Sequence, residues 1–555
     1  MKLKKFVAVG MACLMSLSMV ACGSTGSATT GTTSKAAQST TASSNAAASS
    51  VAATAKGVKS ANTDPANTKT SDETLRIALA SEPSTLWPSG AGKTENEAQI
   101  VSSALMDTLV SKDYKTGKVI PNLATKWEWV DGTHCKFTLR DDVTMSDGKK
   151  LVANDVVYDV NKIWIGLNAS NDTGRYLKGA TADDDHTVTI EFNVNAPDLL
   201  EMLTWTNFSI VSEADVNAAG GVTQAQKAPN IGSGKYKFKE WKAGQSITLE
   251  RNDNYWNKDY KGYYKTIVFT FTNDAAARGM AVQSGDADVA YDMPVSQAGT
   301  YATNDTVQTV IYDFGQVAHL WYNMTDKHTT SNQKVRQAID LALDYDALAQ
   351  VGTAGYGKPA LGYFTQDSKY YNATDTSAER ATNVEKAKSL LKEAGYAGGL
   401  EITTVGMQDS APIYTVMQEN LRAVGITLKI NTVDTAQFVQ DAFGGNYDII
   451  MVGEYTAARY PTLFCFLDQK TIASGFVIGG PKKTTPEISS AIAAIIQERD
   501  ETKAKQEIGA LEKTLKASTI VTNLYPEMKA SILNKDLKGF TTRERGFIDP
   551  TNFYK

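Results

Sequence analysis

From Thr74 to Ala80 apolar and polar residues alternate, the period of a half-buried strand. The same period returns at Tyr236 and Phe238 and again at Ile247 and Leu249. A turn from Lys242 to Gln245 lies between these pairs, so the segment predicts a β-hairpin. Gly232 and Gly234 just ahead of it mark a sharp backbone bend. Asp183 to Phe192 reads as a turn and then a strand. Helical spacing runs from Glu95 to Val110 (Ile100, Leu105, Leu109), from Ala276 to Ser284, and from Lys334 to Asp344, where Val335, Ile339 and Leu343 share one face. Glu385 to Tyr396 predicts a further helix, closed by Gly395 in a C-cap role. A strand from Leu400 to Val405, a helix from Ile413 to Val424 and a strand from Ile426 to Ile430 make a β-α-β unit, which requires parallel pairing. Ala318 to Met324 and Tyr447 to Val452 read as strands, Pro486 to Arg499 and Glu501 to Ala517 as helices, and Thr519 onward returns to strand-like sequence. The pattern is that of an α/β chain.

The first 71 residues fall outside this pattern. Lys2, Lys4 and Lys5 precede an apolar run from Phe6 to Val20, too short for a membrane span, which needs roughly 20 apolar residues. Positive flank, short apolar core and small residues at its end predict a secretory signal peptide over residues 1–22. Met19-Val20-Ala21-Cys22-Gly23 resembles a bacterial lipobox, in which Cys22 is lipidated and becomes the new N-terminus; Met19 stands where Leu is usual. Residues 23–71 are almost wholly Ser, Thr, Ala, Gly and Asn, a composition that cannot bury enough apolar surface to offset its ordering entropy. A flexible stalk is expected there, with a root-mean-square span of roughly 35–40 Å for about 50 residues of random coil.

Beyond residue 71 the chain carries 49 Lys and Arg against 60 Asp and Glu, which argues against nucleic acid or a polybasic membrane surface as partner. It is too long for one hydrophobic core and should divide into two or three domains. Cys135 and Cys465 are far apart and lie in no Cys-x-x-Cys pair, so two buried free thiols are expected and no metal site. Gly232-Ser-Gly-Lys235 is half a P-loop, but Pro229 and Tyr236 stand where the rest of that motif needs Gly and Ser or Thr. With no His-x-x-x-His pair, no Gly-x-Ser-x-Gly elbow and no cofactor motif, the chain does not read as an enzyme.

The run Gly232-Ser-Gly-Lys-Tyr236 to Arg251-Asn-Asp-Asn-Tyr-Trp256 resembles the Gly-x-Gly-x-Tyr … Arg-Asn-x-x-Tyr-Trp segment of family 5 extracellular solute-binding proteins, the peptide-, dipeptide- and nickel-binding components of ABC importers. Further likenesses follow in the same order. They are Leu123-Ala-x-x-Trp127, Phe137-x-Leu-Arg140 and Ser146-Asp-Gly148, then Ser284-Gly-x-x-Asp288 and Val335-Arg-x-Ala338. The chain departs at Trp87, where Asp is usual, and at His134-Cys135 and Met145, where aromatic residues are usual. The resemblance covers about residues 73–555 and implies a two-lobed periplasmic-binding-protein-like fold of type II. Lobe I would span 72–315 with an extra subdomain at about 105–210, lobe II 316–519, and 520–555 would return to lobe I, with crossovers near Phe314 and Val521.

The resemblance further implies a monomer that holds a small peptide or other solute between the lobes and presents it to a permease, with ATP hydrolysed by a separate subunit. It would be extracytoplasmic and held to the membrane by its lipid. The residues implied at the ligand are Gly90, Ala91 and Gly92, where the backbone can come close, and Tyr291, His319, Trp321, Gln408, Asp409, Glu454, Tyr455, Arg459 and Tyr460. In peptide-binding relatives a carboxylate after the Tyr-Asp strand pairs with the peptide ammonium. Here Ala457 or Arg459 takes its place, depending on the alignment, and Glu454 is the nearest acid. A sugar, metal chelate or anionic compound is therefore the alternative ligand, and a surface sensor the alternative role.

Overall fold

The structure, a computed structural model, describes residues 58–60, 69–87, 95–113, 116–165, 176–195, 199–226, 232–366, 368–455, 466–474, 479–543 and 546–555. Its strands in chain order begin with β1 (Val58–Ser60), β2 (Thr74–Leu79), β3 (Val110–Lys112), β4 (Val119–Pro121), β5 (Ala124–Trp129), β6 (His134–Leu139), β7 (Leu177–Asp184) and β8 (Thr187–Phe192). They continue with β9 (Tyr236–Lys242), β10 (Ser246–Arg251), β11 (Thr266–Phe271), β12 (Val289–Met293), β13 (Val307–Tyr322), β14 (Leu400–Gly406), β15 (Ile426–Thr432), β16 (Ile449–Tyr455) and β17 (Val521–Asn534). One 11-stranded sheet has the order β15-β14-β16-β13-β17-β12-β2-β11-β10-β9, with β1 beside β13. A separate 4-stranded antiparallel sheet has the order β5-β6-β8-β7, and β3 pairs with β4.

The predicted β-α-β unit forms, with β14 parallel to β15 in the register Leu400↔Ile426 around the helix Ala411–Ala423. Helix Val384–Glu393 ends as expected: Gly395 takes the left-handed conformation, φ +92°, just past its last turn. The helix predicted to reach Val110 stops at Leu105, and Val110 opens β3 instead. β13 is far longer than the strand expected from Ala318. It is buried on both faces along most of its 16 residues, so no alternation marks its start. β1 lies within the expected stalk and runs parallel beside Thr309–Ile311 of β13. β16 covers only the second half of that strand, so the first half offers backbone groups that any composition can pair with.

The hairpin β9–β10 forms as predicted, and the glycines before it have a packing role. A Cβ on Gly234 would collide with the backbone of Ala104, Leu105 and Met106, and one on Gly232 with the Leu105 carbonyl. Gly234 N–H donates to the Leu105 carbonyl at 3.0 Å, closing the helix Asn96–Leu105. The motif's other residues converge on the next turn. Ser233 Oγ (2.9 Å), Tyr255 Oη (3.0 Å) and Trp256 Nε1 (3.2 Å) all donate to the Asp107 carboxylate, while Asn252 Nδ2 donates to Gly234 O at 3.0 Å. Burial raises the Asp107 carboxyl, and those three donors and Lys235 oppose the rise. The segment that resembles the family most distinctively is thus a clamp between hairpin and helix.

Val-Arg-x-Ala works in the same way. Arg336, 3% exposed, donates to the carbonyls of Thr330, Ser331, Ser518 and Thr519 at 2.7–2.9 Å, fixing the end of helix Glu501–Ser518 where β17 begins. Val335, Ile339 and Leu343 are fully buried in a core that helices Gln333–Ala342, Tyr345–Gly352 and Ala411–Ala423 build on one face of β13 and β14. Cys135 is a buried free thiol, which burial pushes up to about 12; Cys465 lies outside the described residues.

Candidate functional site

Two long strands, β13 and β17, belong to both halves of the large sheet. Their antiparallel register breaks between Asp313↔Met528 and Val317↔Pro526, and Gly315 sits in that break at φ +74°, a conformation that favours glycine. Parallel strands on both sides point their carboxyl ends at the break. β12 ends at Asp292 and Met293, β14 runs into Gln408–Ser410, β16 ends at Tyr455, and β2 leads to Ser81, which hydrogen-bonds Glu97. Ligands of open α/β sheets bind outside such carboxyl ends.

The side chains gathered there are mostly acidic. Lys529 Nζ pairs with Asp292 Oδ1 at 2.9 Å, and its ammonium also lies 5.2 Å from the centre of the Phe314 ring. Asp292 has φ +52° and is held by Arg278, whose Nη2 donates to its carbonyl at 2.9 Å. The Glu527 carboxylate lies over Gly453, where a Cβ would strike it and would come within 2.7 Å of Gln316 Oε1. Glu527 is partly exposed, yet burial raises its carboxyl; Lys529 opposes the rise, and Asp292 and Asp409 add to it. Burial also raises Glu97, with Asp292 contributing.

The residues expected from the sequence divide into three sets. Gly90, Ala91, Gly92, Arg459 and Tyr460 lie outside the described residues, as does Cys22. Gln408 and Asp409 are exposed at the carboxyl end of β14, where Asp409 acts on both Glu527 and Lys529. Tyr291, His319, Trp321 and Glu454 are buried, Glu454 to 1% exposure, and Tyr455 pairs with Gln316 through the backbone. Trp321 stacks on Phe466 at 5.4 Å, and His319 lies 6.2 Å from Tyr363, nearly parallel to it. Burial pushes His319 down to about 3, against a weaker opposing effect of Asn523, so the ring is neutral at physiological pH. On the crossing strands, a cavity of about 290 Å³ is bounded by Asp313, Val317, Pro526 and Met528 and by the segment around Tyr356–Gln366.

Sequence reasoning missed Glu527, Gln316, Asp292 and Lys529. A signal was present: between Leu524 and Ala530, Glu527 and Lys529 are the two charges in an otherwise apolar stretch that reads as strand. Among the described residues no three His, Cys, Asp or Glu stand close enough to hold a metal ion, and no helix is long and apolar enough to cross a membrane.

Residues 118–469 match the family described as bacterial extracellular solute-binding proteins, family 5 Middle. The chain belongs to that family. It is 22% identical over 497 residues to the periplasmic murein peptide-binding protein of Escherichia coli strain K12, covering 83% of this chain and 89% of that one. A periplasmic binding protein from Helicobacter pylori, solved with the peptide STSA, superposes with a TM-score of 0.73 at 20% identity, over 87% of this chain and 98% of that one. A Staphylococcus aureus protein solved with a nickel–histidine complex superposes with a TM-score of 0.69 at 20% identity, over 85% and 97%. The fold is α/β and two-lobed, of the type II periplasmic-binding-protein kind.

Proposed function

We propose that this solute-binding protein captures small peptides outside the cytoplasm and delivers them to the permease of an ABC importer, acting as a monomer and catalysing no reaction. The observation that carries this is the acid-rich break in β13 and β17, on which the carboxyl ends of four parallel strands converge. The peptide-named relative and the peptide-bound neighbour support the same ligand class. In this reading lobe I is 72–315 with its subdomain at about 105–210, lobe II is 316–519, and 520–555 returns to lobe I. The ligand meets Gly90, Ala91, Gly92, Tyr291, His319, Trp321, Gln408, Asp409, Glu454, Tyr455, Arg459 and Tyr460. Closure about the break presents the loaded form to the permease.

A screen of purified residues 72–555 by thermal shift tests the ligand class. Peptide pools are expected to raise the midpoint, as any ligand of the native state does. Stabilisation by sugars or metal chelates alone overturns the reading. The second of these outcomes has its own support, because the neighbour that carries nickel–histidine shares the fold.

Residues 1–22 act as a lipoprotein signal peptide and 23–71 as a stalk in this reading, with Cys22 carrying the lipid. Cys22→Ala is expected to move the protein from the membrane pellet to the soluble fraction. Persistence in the pellet after a high-salt wash counts against the anchor.

A further inference from the structure

Glu527 stands at the break in the β13–β17 pairing, and no hydrogen bond or ion pair engages its carboxylate among the described residues. The charges around it are unbalanced. Among the described residues, the cations that act on Glu97, Asp292, Asp409 and Glu527 are Lys529 and Arg278, and both also have other partners. Lys529 is closed on Asp292, and Arg278 donates to the carbonyls of Thr272, Asn273 and Asp292. A second polar group points to the same place. Gln316 is 9% exposed, makes no side-chain hydrogen bond among the described residues, and brings its amide beside Glu527 over Gly453. A nine-tenths buried amide and an unpaired carboxylate side by side each lack a partner, which burial makes costly unless a ligand supplies one.

We propose that the Glu527 carboxylate and the Gln316 amide, held together over Gly453, form the subsite for a ligand ammonium group. The inference rests on the peptide reading and deepens it. The acid that meets the ammonium comes from the returning C-terminal strand β17 and not from the segment that follows β16. Ammonium fits this site better than a metal ion, because Asp292 is already taken by Lys529 and too few ligating groups remain together. Gly453 is part of the device: any side chain there would displace both groups.

The test uses two pools of random tri- and tetrapeptides, one with free amino termini and one N-acetylated, read by thermal shift and then by calorimetry. Wild type is expected to respond to the free-amine pool and not to the acetylated one. Glu527→Gln should bind the free-amine pool about 10- to 100-fold more weakly, the span of one charge-assisted hydrogen bond. Glu527→Asp, which keeps the charge but withdraws it, should fall between the two. Equal response of wild type to both pools, or full binding by Glu527→Gln, overturns the ammonium subsite and leaves peptide capture standing. Response to neither pool overturns both. A Glu527→Gln protein whose unliganded melting curve is lost is replaced by Glu527→Asp, whose unchanged affinity overturns the subsite.

Discussion

Gly234→Ala is expected to destabilise the protein by about 3 kcal/mol, the upper range for forcing an atom into a filled site. The new Cβ would meet main-chain atoms of Ala104, Leu105 and Met106, which cannot swing aside as a side chain can. Either helix Asn96–Leu105 or hairpin β9–β10 has to retreat, and with it the triple hydrogen-bonding of Asp107. Gly398→Ala is the control. Gly398 is exposed, its φ is not in the left-handed region, and nothing lies within 4 Å of an added Cβ, so a change within about 0.5 kcal/mol is expected. Urea unfolding of both variants measures the difference; equal midpoints would refute the clamp.

The other large effect concerns Glu512, fully buried on helix Glu501–Ser518. Burial pushes its carboxyl up to about 8, despite the Asn372 side chain and Tyr363 backbone beside it; Asp375 adds to the rise and Lys505 opposes it. Folded protein therefore holds a proton that the unfolded chain releases above its ordinary pKa of 4.5. Stability must fall as pH rises through that window, and by about pH 8 the loss is on the order of 4 kcal/mol. Glu512→Gln removes the titration and keeps the shape. It is expected to raise the unfolding midpoint at pH 8 and to leave it nearly unchanged at pH 5. An equal effect at both values would mean that Glu512 is ionised in the folded protein.

Much of the fold was legible because the motifs are clamps. Gly232, Gly234, Asn252, Tyr255 and Trp256 keep their spacing for contacts made within one local neighbourhood, and Arg336 reads as part of an amphipathic helix whose apolar face is plain. The site was less legible for the same physical reason that lengthened β13. Strands buried on both faces lose the alternation that marks a strand and its exposed side. Gln316 and Glu527 meet only because two distant strands cross, and no local pattern encodes that meeting. Glu454 is the acid that adjacency along the chain suggests, whereas Glu527 comes to lie over the neighbouring Gly453 from a different strand.

The position of β17 also bears on how the molecule comes to be made. It lies between β12 and β13 and pairs with β13 along both halves of the large sheet, yet it and the residues that follow are synthesised after β1 to β16. Until they leave the ribosome, β12 has no neighbour on that side and β13 has an open edge through both lobes. Neither lobe can close its sheet on its own schedule. Completion of the sheet in both halves is thus tied to one late segment, a pairing of high sequence separation that comes after the local elements have been made.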